Sequence, residues 1–184
     1  MKLISTDIPD LYIVEPNVFK DERGYFFESY NSEKLSAHGI KTTFVQDNQS
    51  ASTYGVIRGL HYQLAPYDQT KFIRALSGKI LDVVVDIRQN SPTFGKWLSF
   101  ELSEENQRQL YIPKGFAHGF SVLSDYAVVF YKCDSLYHKE SERGINFNDP
   151  FLAIDWKLSV SDSLVSAKDK VLPFFDKAEM NFFY

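Results

Sequence analysis

Lys79-Ile80-Leu81-Asp82-Val83-Val84-Val85-Asp86-Ile87-Arg88 is the stretch that decides the fold. Alternate residues of an extended chain point to opposite faces, so Leu81, Val83, Val85 and Ile87 share one face and Asp82 and Asp86 the other. The apolar face fits a core, and the two acids call for polar surroundings or a wet lumen. Similar short runs recur on both sides with turn residues between them. LYIVEP, YFFESY, TFVQ, VIRGLHYQ and KFIRAL precede it; KWLSFEL, QLYIP, HGFSVL and YAVVFYKC follow. Many short strands at this rhythm predict an all-β sandwich or barrel. Helical signal is sparse: Ser32 is placed to cap a segment that Gly39 ends, Ser103 to cap the turn starting at Glu104, and a third short helix is expected near 162–167.

With 184 residues, no internal repeat and no Pro/Gly/Ser linker, the chain is expected to form a single domain over residues 1–184. The net charge of -4 argues against broad binding to nucleic acid or to an anionic membrane, so an anionic ligand must meet a local cationic pocket. Cys133 is the only cysteine, which excludes an intrachain disulfide. Met1 to Asp10 carries acids and a proline where a secretion signal needs an apolar run, and no apolar stretch reaches a membrane span. A soluble, cytoplasmic protein is expected.

Arg58-Gly59-Leu60-His61-Tyr62-Gln63 sets a base that titrates near neutral pH beside a fixed cation, a pairing suited to proton abstraction from an anionic substrate. Asp169 is the carboxylate best suited to hold the second ring nitrogen of His61, although a lone strand histidine can equally bond across a half-buried sheet. Tyr131 shares a strand face with Ala127 and Val129; it reads either as a proton donor opposite His61 or as an ordinary core tyrosine. Lys71 opens a strand after the loop LAPYDQT, where an ammonium at a barrel mouth would stabilise an enolate oxygen, or would simply be solvated. Lys168-Asp169 reads equally as a hydrophilic turn before Pro173. His118, between two glycines, either lines the cavity of His61 or is a core histidine. The four histidines show no HxH or HxxxH cluster, so no metal site is expected.

Several strings, taken in order and spacing, resemble one family. They are DERGYFFE, VQDNQS, GVIRGLHYQ, GKILDVVVDIR, SPTFGKW, LYIPKGFAHGFSVLSD, VVFYKCDSLY, ERGINFNDP and SAKD, spanning about Asp7 to Pro173. The chain is similar to the dTDP-4-dehydrorhamnose 3,5-epimerases. The resemblance implies a cupin-like jelly roll, without metal or cofactor, whose lumen holds a dTDP-linked 4-keto-6-deoxyhexose epimerised at carbons 3 and 5 on the way to L-rhamnose. It implies His61 as base, Asp169 as its partner, Tyr131 as acid on the other face and Lys71 as the cation near the keto oxygen. Gln46, Asn48, Arg58, His118 and Lys168 match substrate contacts, and Tyr137 matches an aromatic near the thymine. Arg23, Phe26 and Glu28 match an amino-terminal segment that reaches the partner subunit's pocket in a homodimer.

Three alternatives stand beside this reading. One is a mono-epimerase on a related nucleotide 4-keto-6-deoxy sugar; the second is a non-catalytic sugar-nucleotide-binding cupin; the third is a metal-dependent cupin oxygenase, which the missing histidine cluster disfavours. Strict alternation puts Arg58 on the face opposite His61, so if both serve one pocket the strand must bulge or bend, with Gly59 the place for it. The aromatic tail FFDKAEMNFFY has no assigned role; packing on a neighbouring subunit is the expectation.

Overall fold

Apolar runs and turn glycines cut the chain into short strands. The computed structural model describes the backbone of residues 1–184 and every side chain but that of Val160. The strands are β1 (Lys2–Ser5), β2 (Tyr12–Glu15), β3 (Phe19–Asp21), β4 (Gly24–Phe26), β5 (Gln46–Thr53), β6 (Val56–Gln63) and β7 (Lys71–Ser77). They continue as β8 (Lys79–Asp86), β9 (Trp97–Ser103), β10 (Gln109–Ile112), β11 (Phe116–Val122), β12 (Tyr126–Cys133), β13 (Glu142–Gly144) and β14 (Leu164–Val165). Two short helices, α1 (Ser32–Ala37) and α2 (Ala167–Lys170), lie at the periphery.

Two antiparallel sheets face each other, in the orders β1-β2-β10-β7-β12-β5 and β13-β6-β11-β8-β9, with β14 added parallel to β6. From β5 to β12 each strand passes to the opposite sheet, except between β8 and β9, which makes the sandwich a jelly roll. Gly78 turns the corner between β7 and β8 at φ +71, where a Cβ would stand 2.0 Å from the Tyr126 carbonyl.

The β8 pattern is realised in both directions. Ile80 and Val84 enter the core between the sheets beside Ile73, Leu110, Phe120 and Val129. Leu81, Val83, Val85 and Ile87 form an outer layer with Tyr62, Trp156 and Phe182, roofed by the chain after β13. Burying each such side chain contributes about 1.5–3 kcal/mol. A third cluster, Val14, Leu35, Ile40, Phe72 and Tyr111, seats α1 on the outside of the first sheet.

Several sequence expectations shift. Asn31, not Ser32, caps α1: its side chain accepts from Lys34 N at 3.0 Å, while Gly39 ends the helix as expected. Ser103 Oγ accepts from Asn106 N at 3.1 Å but closes a turn, not a helix. The helix expected near 162–167 begins at Ala167, after a 3-10 turn over Val160–Asp162 and the two residues of β14. TFVQ forms a strand only from Gln46, and that strand runs on through polar residues to Thr53; of YFFESY, only Tyr25 and Phe26 are extended in β4.

The aromatic tail packs on its own barrel. Phe182 is buried edge-on against Tyr62, the Tyr62 hydroxyl donates to the Glu179 carbonyl at 2.7 Å, and Arg88 lies between the Phe116 and Tyr184 rings.

Candidate active site

A cavity of about 660 Å³ lies inside the barrel, and both sheets wall it. The second sheet supplies His61 and Arg58 from β6 and His118 from β11; the first supplies Lys71 from β7 and Tyr131 from β12. β6 brings Arg58 and His61 to one side because it bulges. Against β11, His61 pairs with His118 and Arg58 with Phe120, so three steps on β6 match two on its partner. The extra residue sits at Gly59, as expected: its φ is +114, and an added Cβ would stand 2.6 Å from Gly119 Cα.

Asp169 reaches His61 from the first turn of α2, where the Ser166 hydroxyl caps the helix by accepting from Asp169 N at 3.0 Å. Asp169 Oδ1 lies 2.7 Å from His61 Nε2, and Oδ2 accepts from Gly59 N at 3.4 Å. Burial, at 3% exposure, would raise this carboxyl; the bonds from His61, Gly59 and Ser166 outweigh it and hold the pKa below its ordinary value. An ionised carboxylate only accepts, so Nε2 carries the proton and Nδ1 is left as the basic nitrogen.

Tyr131 stands on the opposite sheet, beside Ala127 and Val129 on the core face, and burial raises its phenol. Lys71 is enclosed, burial lowers its ammonium's pKa, and among the described residues its Nζ makes no hydrogen bond or ion pair. The arrangement is an imidazole with a fixed tautomer on one wall, and a phenol and an ammonium without an ion-pair partner on the other. Among the described residues no group of three or more His, Cys, Asp or Glu side chains is arranged to hold a metal.

The sequence pattern described as dTDP-4-dehydrorhamnose 3,5-epimerase matches residues 5–177. The chain belongs to the dTDP-4-dehydrorhamnose 3,5-epimerase family. It is 55% identical over 170 residues to the enzyme of that name from Shigella flexneri, covering 92% of this chain and 93% of the relative. The crystal structure of the dTDP-4-dehydrorhamnose 3,5-epimerase from Elizabethkingia anophelis superposes with a TM-score of 0.93 at 53% identity, covering 97% of this chain and 99% of the other. The dTDP-6-deoxy-D-glucose-3,5-epimerase from Legionella pneumophila, solved in complex with dTDP-4-keto-L-rhamnose, gives 0.92 at 48% identity, covering 96% and 93%. The fold is the cupin-like jelly roll of these epimerases.

Within this epimerase the remaining expected residues divide into three groups. His118 both lines the cavity and is buried, its Nε2 2.8 Å from Asp82 Oδ2, so the two readings of it hold together. Arg58 reaches the cavity rim, where Nε donates to Ser52 Oγ at 3.1 Å; Tyr137 and Lys168 line the mouth. Gln46 and Asn48 are not in the cavity wall. Gln46 Oε1 accepts from Tyr137 N at 3.0 Å, and Gln46 Nε2 donates to Asn48 Oδ1 at 3.0 Å, so they brace the mouth from behind. Arg23, Phe26 and Glu28 lie away from this chain's cavity. Arg23 is paired with Asp21 at 2.6 Å, Phe26 is 69% exposed, and Glu28 is bound by Lys34 and Asn31.

Glu142 is a cavity residue that the sequence reading did not single out. Its Oε2 accepts from the Tyr137 hydroxyl at 2.8 Å and lies 2.6 Å from Lys168 Nζ. Burial would raise its carboxyl, but Lys168 and Tyr137 hold it low. A glutamate opening a two-charge strand start, Glu142-Arg143-Gly144, carries no local mark that sets it apart from a solvated one.

Proposed function

We propose that this epimerase inverts both carbons flanking the ketone of dTDP-4-dehydro-6-deoxy-D-glucose, giving dTDP-4-dehydro-L-rhamnose, with His61 and Tyr131 as base and acid. His61 Nδ1 takes the proton from the carbon beside the ketone; the C–H electron pair becomes the enolate double bond, and the former carbonyl oxygen takes the charge. Lys71 stabilises that oxygen. The Tyr131 hydroxyl returns a proton from the opposite face, and both side chains then re-equilibrate with water. Both carbons are acidified by one ketone, so one constellation serves two inversions. The observation that carries this reading is the 2.7 Å His61–Asp169 pair on one sheet facing Tyr131 on the other, with the unpaired Lys71 beside them.

Arg58 and Lys168 are suited to the diphosphate, Tyr137 to the thymine face, and Gln46 and Asn48 to holding that mouth in shape. Residues 1–184 act as one functional unit, and the assembly is a homodimer in the cytoplasm. The exposed apolar side chains of the β3–β4 hairpin, Phe19, Tyr25 and Phe26, support a role for Arg23, Phe26 and Glu28 in the partner's pocket. Incubation with the substrate in deuterated water tests the chemistry. Label at carbons 3 and 5 is expected. Label at one carbon reduces the activity to mono-epimerisation, and bound but unlabelled ligand overturns the enzymatic reading.

A further inference from the structure

Four consecutive residues at the cavity mouth are held by the side chains of three glutamines. Gln69 Nε2 donates to the Ser135 carbonyl at 2.8 Å and Gln63 Nε2 to the Leu136 carbonyl at 3.4 Å. Gln46 Oε1 accepts from Tyr137 N at 3.0 Å, and Gln63 Oε1 accepts from His138 N at 2.8 Å. Gln63 Nε2 also donates to the Tyr67 carbonyl, and the Tyr67 ring stacks on the His138 imidazole with centroids 3.7 Å apart. Gln63 is the centre of this strap: its amide, buried at the end of β6, joins the loop before β7 to the loop after β12.

Backbone pairing and apolar burial do not fix the segment. Among the described residues, no backbone group of Ser135, Leu136 or Tyr137 bonds to another backbone group. Leu136 is 66% exposed and Tyr137 55%, so neither is seated by packing. A stretch without either support keeps its place only as well as its side-chain bonds hold it. The Tyr137 hydroxyl bond to Glu142 fixes the tip of the ring, and the glutamine bonds to the amides of Tyr137 and His138 fix its root. Gln63 also lines the cavity two residues after His61, about 7 Å along the strand, so β6 carries both the base and the post from which the Tyr137 loop hangs.

We propose that Gln63 is a positioning residue for substrate binding: its amide, with those of Gln46 and Gln69, presets the Tyr137 ring as a landing face for the thymine at a fixed place relative to His61. This rests on the role given to Tyr137 above. Gln63 touches no reacting atom. It acts through Tyr137, by holding the mouth loop in its binding conformation before the nucleotide arrives, so that little ordering is left to be done on binding.

Gln63→Met tests it, because methionine fills much the same space and makes none of the bonds to the Tyr67, Leu136 and His138 backbone. Apparent affinity scales with the fraction of molecules in the competent conformation, so a loop in place about one-tenth of the time weakens binding about tenfold. KM for the 4-keto sugar nucleotide and the Kd of dTDP by calorimetry are both expected to rise by about that factor, with kcat within about threefold of wild type. Tyr137→Ala and the double variant complete a cycle: without the ring, Gln63→Met is expected to cost less than about twofold in dTDP affinity. Unchanged KM and dTDP affinity in Gln63→Met, a loss confined to kcat, or the full loss of affinity persisting in the Tyr137→Ala background overturns the proposal. A Tyr137→Ala variant that binds dTDP as wild type does refutes the role of Tyr137 itself. If Gln63→Met does not fold, hydrogen exchange of the ligand-free wild-type chain carries the test: the amides of Tyr137 and His138 are expected to be protected, and exchange at the rate of an open chain overturns the strap.

Discussion

Asp169→Asn separates the work of holding His61 from the work of binding substrate. The bond removed is a 2.7 Å contact between an ionised carboxylate at 3% exposure and a ring that must become imidazolium in the reaction. A hydrogen bond to a charged group contributes about 1.5–3 kcal/mol, so its loss alone costs about 10- to 150-fold in kcat. A second effect adds to this. The new amide can present its NH₂ to Nε2 and drive the ring proton to Nδ1, where the base needs a lone pair. In the serine-protease triad the equivalent change costs about 10,000-fold, which bounds the effect from above. The expected loss in kcat is therefore between about 10²- and 10⁴-fold. The Ser166 cap and the Gly59 N–H contact both survive in the amide, so affinity for dTDP should change by less than about threefold. Deuterium incorporation followed by proton NMR gives kcat, and calorimetry with dTDP gives affinity. Turnover within threefold of wild type, or equal losses in turnover and affinity, would refute the assignment.

Tyr131→Phe removes the donor on the far wall but leaves His61 in place; it should still exchange substrate protons with deuterium while inverting far more slowly, and full inversion in the variant would take Tyr131 out of the mechanism. Gly59→Ala must fit a Cβ 2.6 Å from Gly119 Cα at a φ of +114, so it is expected to cost several kcal/mol in urea unfolding and to abolish turnover in whatever folds. A stable, active Gly59→Ala contradicts the bulge. Asp169 and Asp86 both have folded pKa values held below ordinary, so the stability they contribute is present above the unfolded carboxyl value near ~4 and is lost as pH falls through the folded values. Urea midpoints should be level above about pH 5 and fall below about pH 4, with a shallower fall in Asp86→Asn; an identical slope in that variant would exclude Asp86 as a source.

The fold was legible where apolar periodicity carries it, and obscure where it does not. β8 could be read because its alternation is strong, but β5 could not. Gln46 to Thr53 is the edge strand of its sheet, with Ser52 its one buried side chain, so polar residues satisfy it and no apolar period forms. Asn31 and Ser32 are adjacent and both can cap; which one does depends on where helical backbone begins, a choice set by how Leu35 docks on the sheet. The His61–Asp169 pair joins positions 108 apart, and no spacing rule reaches that far. The resemblance brought those residues together, while the bulge at Gly59 followed from physical reasoning, since two residues three apart cannot share a strand face without one extra residue between them.

The acids of β8 mark the limit of that reasoning. Asp82 and Asp86 occupy equivalent places in one alternating pattern, and the pattern states only that both face away from Leu81 and Val83. Asp86 lies at the strand's end, where the chain turns and offers Arg88, Ser91 and Thr93 within seven residues, so its satisfaction is local. Asp82 lies mid-strand, where local donors are absent and the partner comes from the adjacent strand β11, at His118. A buried acid that its own neighbourhood satisfies is explained by the fold. One that meets a single donor on a neighbouring strand and keeps an oxygen unpaired depends on tertiary pairing, which no local pattern encodes.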